Sequence, residues 1–102
     1  MAIAPKTGSL VQAVWNGVVL AESDETIVVE GNHYFPANAL KKEFFQPSTT
    51  TTTCNAKGQA RYFHIEVEGK KNTDAAWFYA NPKESAKRIA GYVAFWKGVK
   101  VG

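Results

Sequence analysis

The residues best able to do chemistry sit together in one short stretch, Thr49–Tyr62, TTTTTCNAKGQARY. It holds the chain's one cysteine, Cys54, with Lys57 three residues later and Gly58 beside that lysine. A thiol attacks as its thiolate, and a nearby cation favours that form, drawing the pKa below a reference of about 8.5. Across a turn the Lys57 ammonium can approach the Cys54 sulfur, so the pair could form an activated nucleophile. Gly58 offers backbone amides next to Lys57, where a carboxylate or phosphate could dock. A histidine base would complete such an arrangement, and His33 and His64 are the two in the chain. The bland alternative is a small packed cysteine beside a solvated turn lysine, and for an isolated Cys and Lys it is the better bet.

Other side chains could hold a ligand beside that stretch. Tyr34, Tyr62, Trp77 and Tyr79 could wall an aromatic pocket, although each taken singly reads as a core aromatic with its polar end at the rim. Glu30 and Asn32 flank a glycine just before Tyr34 and could hydrogen-bond a bound molecule. Turn chemistry accounts for Asn32 and less well for Glu30. Thr53 ends a hydroxyl run, Ser48–Thr53, that reads equally as an edge strand or as the lining of a cleft. The familiar phosphate, dinucleotide, zinc-protease and serine-hydrolase motifs are absent, and the carboxylates are scattered.

Strands and turns must position these groups. Asn16-Gly17 between VQAVW and VVLAE is a strong hairpin signal, because both central residues of a type I′ turn need positive φ. A two-residue loop pairs Trp15 with Val18, Val14 with Val19 and Ala13 with Leu20. Residues 26–30 add a β-branched strand, making a meander. Ala37–Phe45 has the composition of a short helix stopped by Pro47. In the strand Gln59–Glu68, Ala60, Tyr62, His64 and Glu66 share one face, and Arg61, Phe63, Ile65 and Val67 the other. AAWFY at 75–79 is strongly β. Asn81 as N-cap, Pro82 and Glu84 open a short helix over 82–90 that Gly91 closes. Residues 92–96 form a closing strand and the rest a tail.

The 102 residues fit one domain, with residues 1–9 as a flexible N-terminal segment. The fold class expected is mainly β: a single antiparallel β-rich domain of six to seven strands, closed as a sandwich or barrel, with one or two short helices. A single cysteine excludes an internal disulfide and a paired-cysteine zinc knuckle, so no metal and no cofactor are expected. A net charge of +3 is weak for a nucleic-acid binder, so no nucleic acid is expected. No apolar run reaches the roughly 18 residues of a membrane span, and no secretory signal is visible, so the location expected is cytoplasmic.

Taken together, AVWNGVVLAES, VVEGNHYFP, the threonine run into Cys54, AAWFYANP and IAGYVAF resemble the family known as domain of unknown function 427, also labelled nucleotidyltransferase-like. Its T-T-C-x-x-K-G-x-A-x-Y signature falls on Thr52, Thr53, Cys54, Lys57, Gly58, Ala60 and Tyr62. N-x-Y-F-P falls on Asn32, Tyr34, Phe35 and Pro36, and W-x-Y-x-x-P on Trp77, Tyr79 and Pro82. Where many members have Pro-aromatic between Cys and Lys, this chain has Asn55-Ala56. The resemblance implies a small, mostly bacterial, cytosolic domain like the β-tent group, many of which hold zinc with paired cysteines; one cysteine does not carry that metal over. Metal-dependent nucleotidyl transfer needs clustered carboxylates, and outside the polar turn Glu22-Ser23-Asp24-Glu25 they are scattered here. Two functions remain: a domain binding a small, anionic molecule around Cys54 and Lys57, with thiol-based catalysis, or a non-catalytic protein-interaction module in which Cys54 is structural.

Overall fold

The computed structural model describes residues 9–102, so the expectation for residues 1–9 falls, but for Ser9, outside the described residues. Asn16 and Gly17 take φ of 53° and 76° and join β1 (Val11–Trp15) to β2 (Val18–Ser23). Trp15 faces Val18 and Val14 faces Val19, but a bulge between Ala13 and Val14 sets Ala13 opposite Ala21, one residue past the simple register. The extra residue allows consecutive Leu20 and Ala21 both to be fully buried, which regular alternation forbids. The meander stops there. β3 (Ile27–Val29) pairs with β4 (Asn32–Tyr34) in a separate two-stranded sheet, through a turn in which Glu30 and Gly31 take φ of 54° and 81°.

The segment expected to be helical, 37–45, forms two single 3-10 turns, Ala37–Ala39 and Lys42–Phe44. Then β5 (Phe45–Cys54), β6 (Gly58–Val67), β7 (Lys70–Phe78) and β8 (Val93–Phe95) make a four-stranded antiparallel sheet in that order. The threonine run is thus an edge strand, and Pro47 sits in it where a missing N–H is tolerated. Residues expected to form a tail add β9 (Lys100–Val101) to the free side of β1, closing a three-stranded sheet β2-β1-β9. The count is therefore nine strands rather than six or seven, all paired antiparallel. Among the described residues no helix is long and apolar enough to cross a membrane.

The four-stranded sheet buries both faces, and strand alternation divides the side chains between them. Ile65, Val67, Ala76, Val93 and Phe95 pack with Val11, Ala13, Leu20, Ala21 and Phe35 in the larger core, facing the three-stranded sheet. Ala60, Tyr79 and Ala94 pack with Tyr34, Ala86 and Ile89 in a smaller one, under the β3–β4 hairpin. Tyr34 and Phe35 are adjacent yet enter different cores. Phe35 fixes the hairpin by exchanging two 2.8 Å backbone hydrogen bonds with Val93.

The bulges are fastened by one carboxylate. β7 breaks register near Asp74, whose φ is 55°, and β5 breaks register between Pro47 and Thr51. Asp74 accepts from Ser48 Oγ at 2.5 Å and Thr50 Oγ1 at 2.8 Å, and its N–H donates to His64 Nδ1 at 3.0 Å. These hydroxyls, which read equally as the lining of a cleft, satisfy a bulge carboxylate.

A candidate ligand-binding cavity

Cys54 closes β5 and Gly58 opens β6, so Asn55, Ala56 and Lys57 form a three-residue hairpin loop. Gly58 takes φ of 110°, which a side-chain-bearing residue rarely adopts. The segment 81–85 anchors all three loop carbonyls. Lys83 N–H donates to Lys57 O at 2.8 Å, Lys83 Nζ to Asn55 O at 2.7 Å, and Ser85 Oγ to Ala56 O at 2.7 Å. With its carbonyls held outward, the loop turns the N–H groups of Lys57 and Ala56 toward the Cys54 sulfur. The helix expected over 82–90 gives way to these bonds. A 3-10 segment runs from Glu84 to Ile89 with a break at Ala86, and Lys83, without a side-chain cap, precedes it.

The turn that carries Glu30 reaches across to this loop. Lys57 Nζ donates to Glu30 Oε1 at 2.6 Å, with the lysine side chain 11% exposed and the glutamate 71%. Glu30, which turn chemistry explained poorly, is thus the carboxylate partner of a buried cation. The hydrogen bond to Glu30 holds the Lys57 ammonium above its ordinary value, against the opposing effect of burial. The Cys54 thiol lies below its ordinary value, and the first cause is the Lys57 backbone N–H, then that of Ala56, with the ammonium's field weaker. In this arrangement the Lys57 peptide N–H bears on the sulfur more than its ammonium does.

Neither expected histidine base is in place. His33 Nδ1 is 2.8 Å from Thr26 Oγ1, and His64 Nδ1 accepts from Asp74 N–H. Neither lines the cavity described next.

A cavity of about 260 Å³ opens on the smaller-core face of the sheet, bordered by Glu30, Asn32, Tyr34, Cys54, Lys57, Tyr62, Trp77, Tyr79 and Trp96. That volume is near the lower end for a small-molecule site, roughly 300–1,000 Å³. Tyr62 and Trp77 stand opposite each other in the β6–β7 register, which sets two of its walls side by side. Tyr34 and Trp77 meet edge-on at 6.1 Å, and Trp77 Nε1 donates to Tyr34 Oη at 3.3 Å. Trp96 stands edge-on to Trp77 at 5.9 Å. Burial raises both Tyr34 and Tyr79 above the ordinary phenol value, so both remain neutral O–H groups at neutral pH. The cavity thus combines aromatic walls, phenol donors, a cation and a thiol with lowered pKa.

Eight of the residues singled out by sequence, Glu30, Asn32, Tyr34, Cys54, Lys57, Tyr62, Trp77 and Tyr79, border this cavity. Thr53 does not: one step from Cys54 along the strand, it is exposed on the opposite face. Thr52 instead is 2.8 Å from Tyr62 Oη. Trp96 was missed because it reads as the end of a closing strand, yet its alternation with Ala94 places it on the cavity face. The anchoring role of Lys83 and Ser85 was missed because it runs through loop carbonyls, which leave no side-chain signal. Among the described residues no three or more of His, Cys, Asp and Glu come together as a metal site would require.

A small antiparallel β-domain with an aromatic cavity on its second face is the class that the fold and site define. The chain belongs to the family described as Domain of unknown function (DUF427), which it matches over residues 3–101. A comparison with curated proteins found no match.

Proposed function

We propose that this protein binds a small molecule in the cavity around Cys54 and Lys57, with Cys54 able to attack an electrophilic centre of that molecule. The observation that carries the reading is the convergence, in one cavity, of a buried lysine, two neutral phenols, an aromatic wall and a thiol of lowered pKa. Tyr62, Trp77 and Trp96 would flank an unsaturated or ring portion. The O–H groups of Tyr34 and Tyr79 and the Lys57 ammonium would meet an oxygen-rich, anionic or carbonyl portion. Backbone N–H groups stabilise the thiolate as they would any anion at a turn.

The test is the pH dependence of Cys54 alkylation in the native protein. A native thiol that reacts with an apparent pKa clearly below the ordinary value of about 8.5 supports the nucleophile. Reaction only on unfolding removes the catalytic part. Screening small aromatic acids by quenching of Trp77 and Trp96 fluorescence, with and without Trp77→Leu, tests the binding part on its own.

A further inference from the structure

A second cavity, of about 200 Å³, adjoins the first. Val29, Ala86 and Ile89 give it apolar walls, and Lys57, Arg88, Ser85 and Glu30 give it polar ones. Glu30 and Lys57 are the residues that border both cavities, so their ion pair is the partition between them. Lys57 and Arg88 outnumber the one carboxylate. The Arg88 side chain makes no hydrogen bond or ion pair among the described residues. The Ser85 hydroxyl already donates to Ala56 O, so the two cations are the donors left to an entering group.

The partition is unequal in a way that favours its opening. The Glu30 side chain is 71% exposed at the tip of a two-residue turn and returns to water by rotating outward. The Lys57 side chain is 11% exposed and needs an oxyanion beside it wherever Glu30 goes. A ligand that brings its own oxyanion satisfies Lys57, frees Glu30 and gains Arg88 in one move.

Resting on the small-molecule reading above, we propose that the two cavities are one bipartite site. The ring of the ligand lies among Tyr62, Trp77 and Trp96, and its carboxylate or phosphate replaces Glu30 on Lys57 and pairs with Arg88. Glu30 is then a built-in competitor that holds the cationic chamber shut against neutral rings. The ligand class that fits is a compact aromatic molecule bearing one terminal oxyanion.

The experiment titrates the nitrogen-15-labelled protein with phenol, benzoate and phenyl phosphate to millimolar concentration, following the Trp77 indole N–H and the amides of residues 86–89. Phenol should move the Trp77 signal alone. Benzoate and phenyl phosphate should move both sets and bind about tenfold more tightly than phenol, the gain expected from one charge-assisted pairing. Arg88→Gln, which lies outside the aromatic cavity, should erase most of that gain without altering phenol, and Glu30→Gln should enlarge it. The two charged probes distinguish a planar from a tetrahedral oxyanion. Charged probes no tighter than phenol, or insensitive to Arg88→Gln, or weakened by Glu30→Gln, overturn the bipartite site while the phenol shifts leave the aromatic cavity standing. No shift of Trp77 with any probe overturns both.

Discussion

The Glu30–Lys57 pair is buried on one side only, and its two halves should therefore not be equivalent on removal. Glu30→Ala leaves an ammonium, 11% exposed, without its carboxylate. The penalty for an unmet buried charged group is about 1–3 kcal/mol. Lys57→Met keeps the aliphatic length and releases a carboxylate that is 71% exposed and rehydrates, so the loss is that of a largely solvated pair. Exposed pairs are worth about 0–1 kcal/mol. The double variant should resemble Lys57→Met, because once the cation is gone Glu30 has nothing to satisfy. Urea and thermal unfolding of the four proteins at pH 7 read this directly, with each kcal/mol moving Tm by about 4–8 °C in a domain of this size. The pH dependence adds a check on sign. The folded pKa of Lys57 is raised above its ordinary 10.5, so the pair's contribution is complete below that pH. It is lost as pH climbs through the higher folded value, and wild type and Lys57→Met should converge there. Lys57→Met costing more than Glu30→Ala would refute this assignment of burial and partner.

Four further outcomes follow from the same geometry. Lys57→Met should leave Cys54 alkylation with an apparent pKa still below the ordinary thiol value of about 8.5, since the backbone N–H groups remain; a return to that value would restore the ammonium as the main cause. Asp74→Asn keeps a side chain that tolerates positive φ but weakens the acceptor for Ser48 and Thr50, and should cost about 1–3 kcal/mol in urea unfolding. Asp74 lies below its ordinary 3.8, so its contribution is present above that pH and lost as pH falls through the lower folded value. An acid-unfolding limb unchanged in Asp74→Asn would count against it. Gly58→Ala, at φ of 110°, should cost about 1–3 kcal/mol by the same unfolding assay and raise the alkylation pKa of Cys54 as the loop shifts, whereas Gly58→Ala indistinguishable from wild type would sink the loop's role. Tyr34→Phe should leave Trp77 Nε1 without its acceptor and shift its indole N–H resonance, with stability falling by about 1 kcal/mol.

Where the fold was legible in the sequence, the signal was local. Asn16-Gly17 forces a turn through its own dihedrals, and the strand pairs nearest the loop followed from it. Two-residue periodicity sorted Tyr62 from Phe63, and the same rule separates Trp77 and Tyr79 from Ala76 and Phe78. The misses came where distant partners outweighed local preference. The 82–90 segment has a respectable helix start, yet the N–H of Lys83 bonds to Lys57 O, 26 residues away in sequence, and the helix tightens into 3-10 turns. Ala13 slipped register because two consecutive residues of β2 had to reach the core. The lysine beside Cys54 was noticed for its charge, and its peptide N–H, which any residue but proline would supply, carries no sequence signal.

The stretch from Ala76 to Tyr79 serves two masters by turns: Ala76 and Phe78 hold the sheets together, while Trp77 and Tyr79 face the cavity. Heritable change can therefore act on alternate letters. A substitution at 77 or 79 revises what the cavity admits and leaves the larger core's packing intact, and one at 76 or 78 does the reverse. On the reading proposed above, a lineage carrying this sheet can change what the cavity admits while the larger core stays intact, with any packing cost confined to the smaller core.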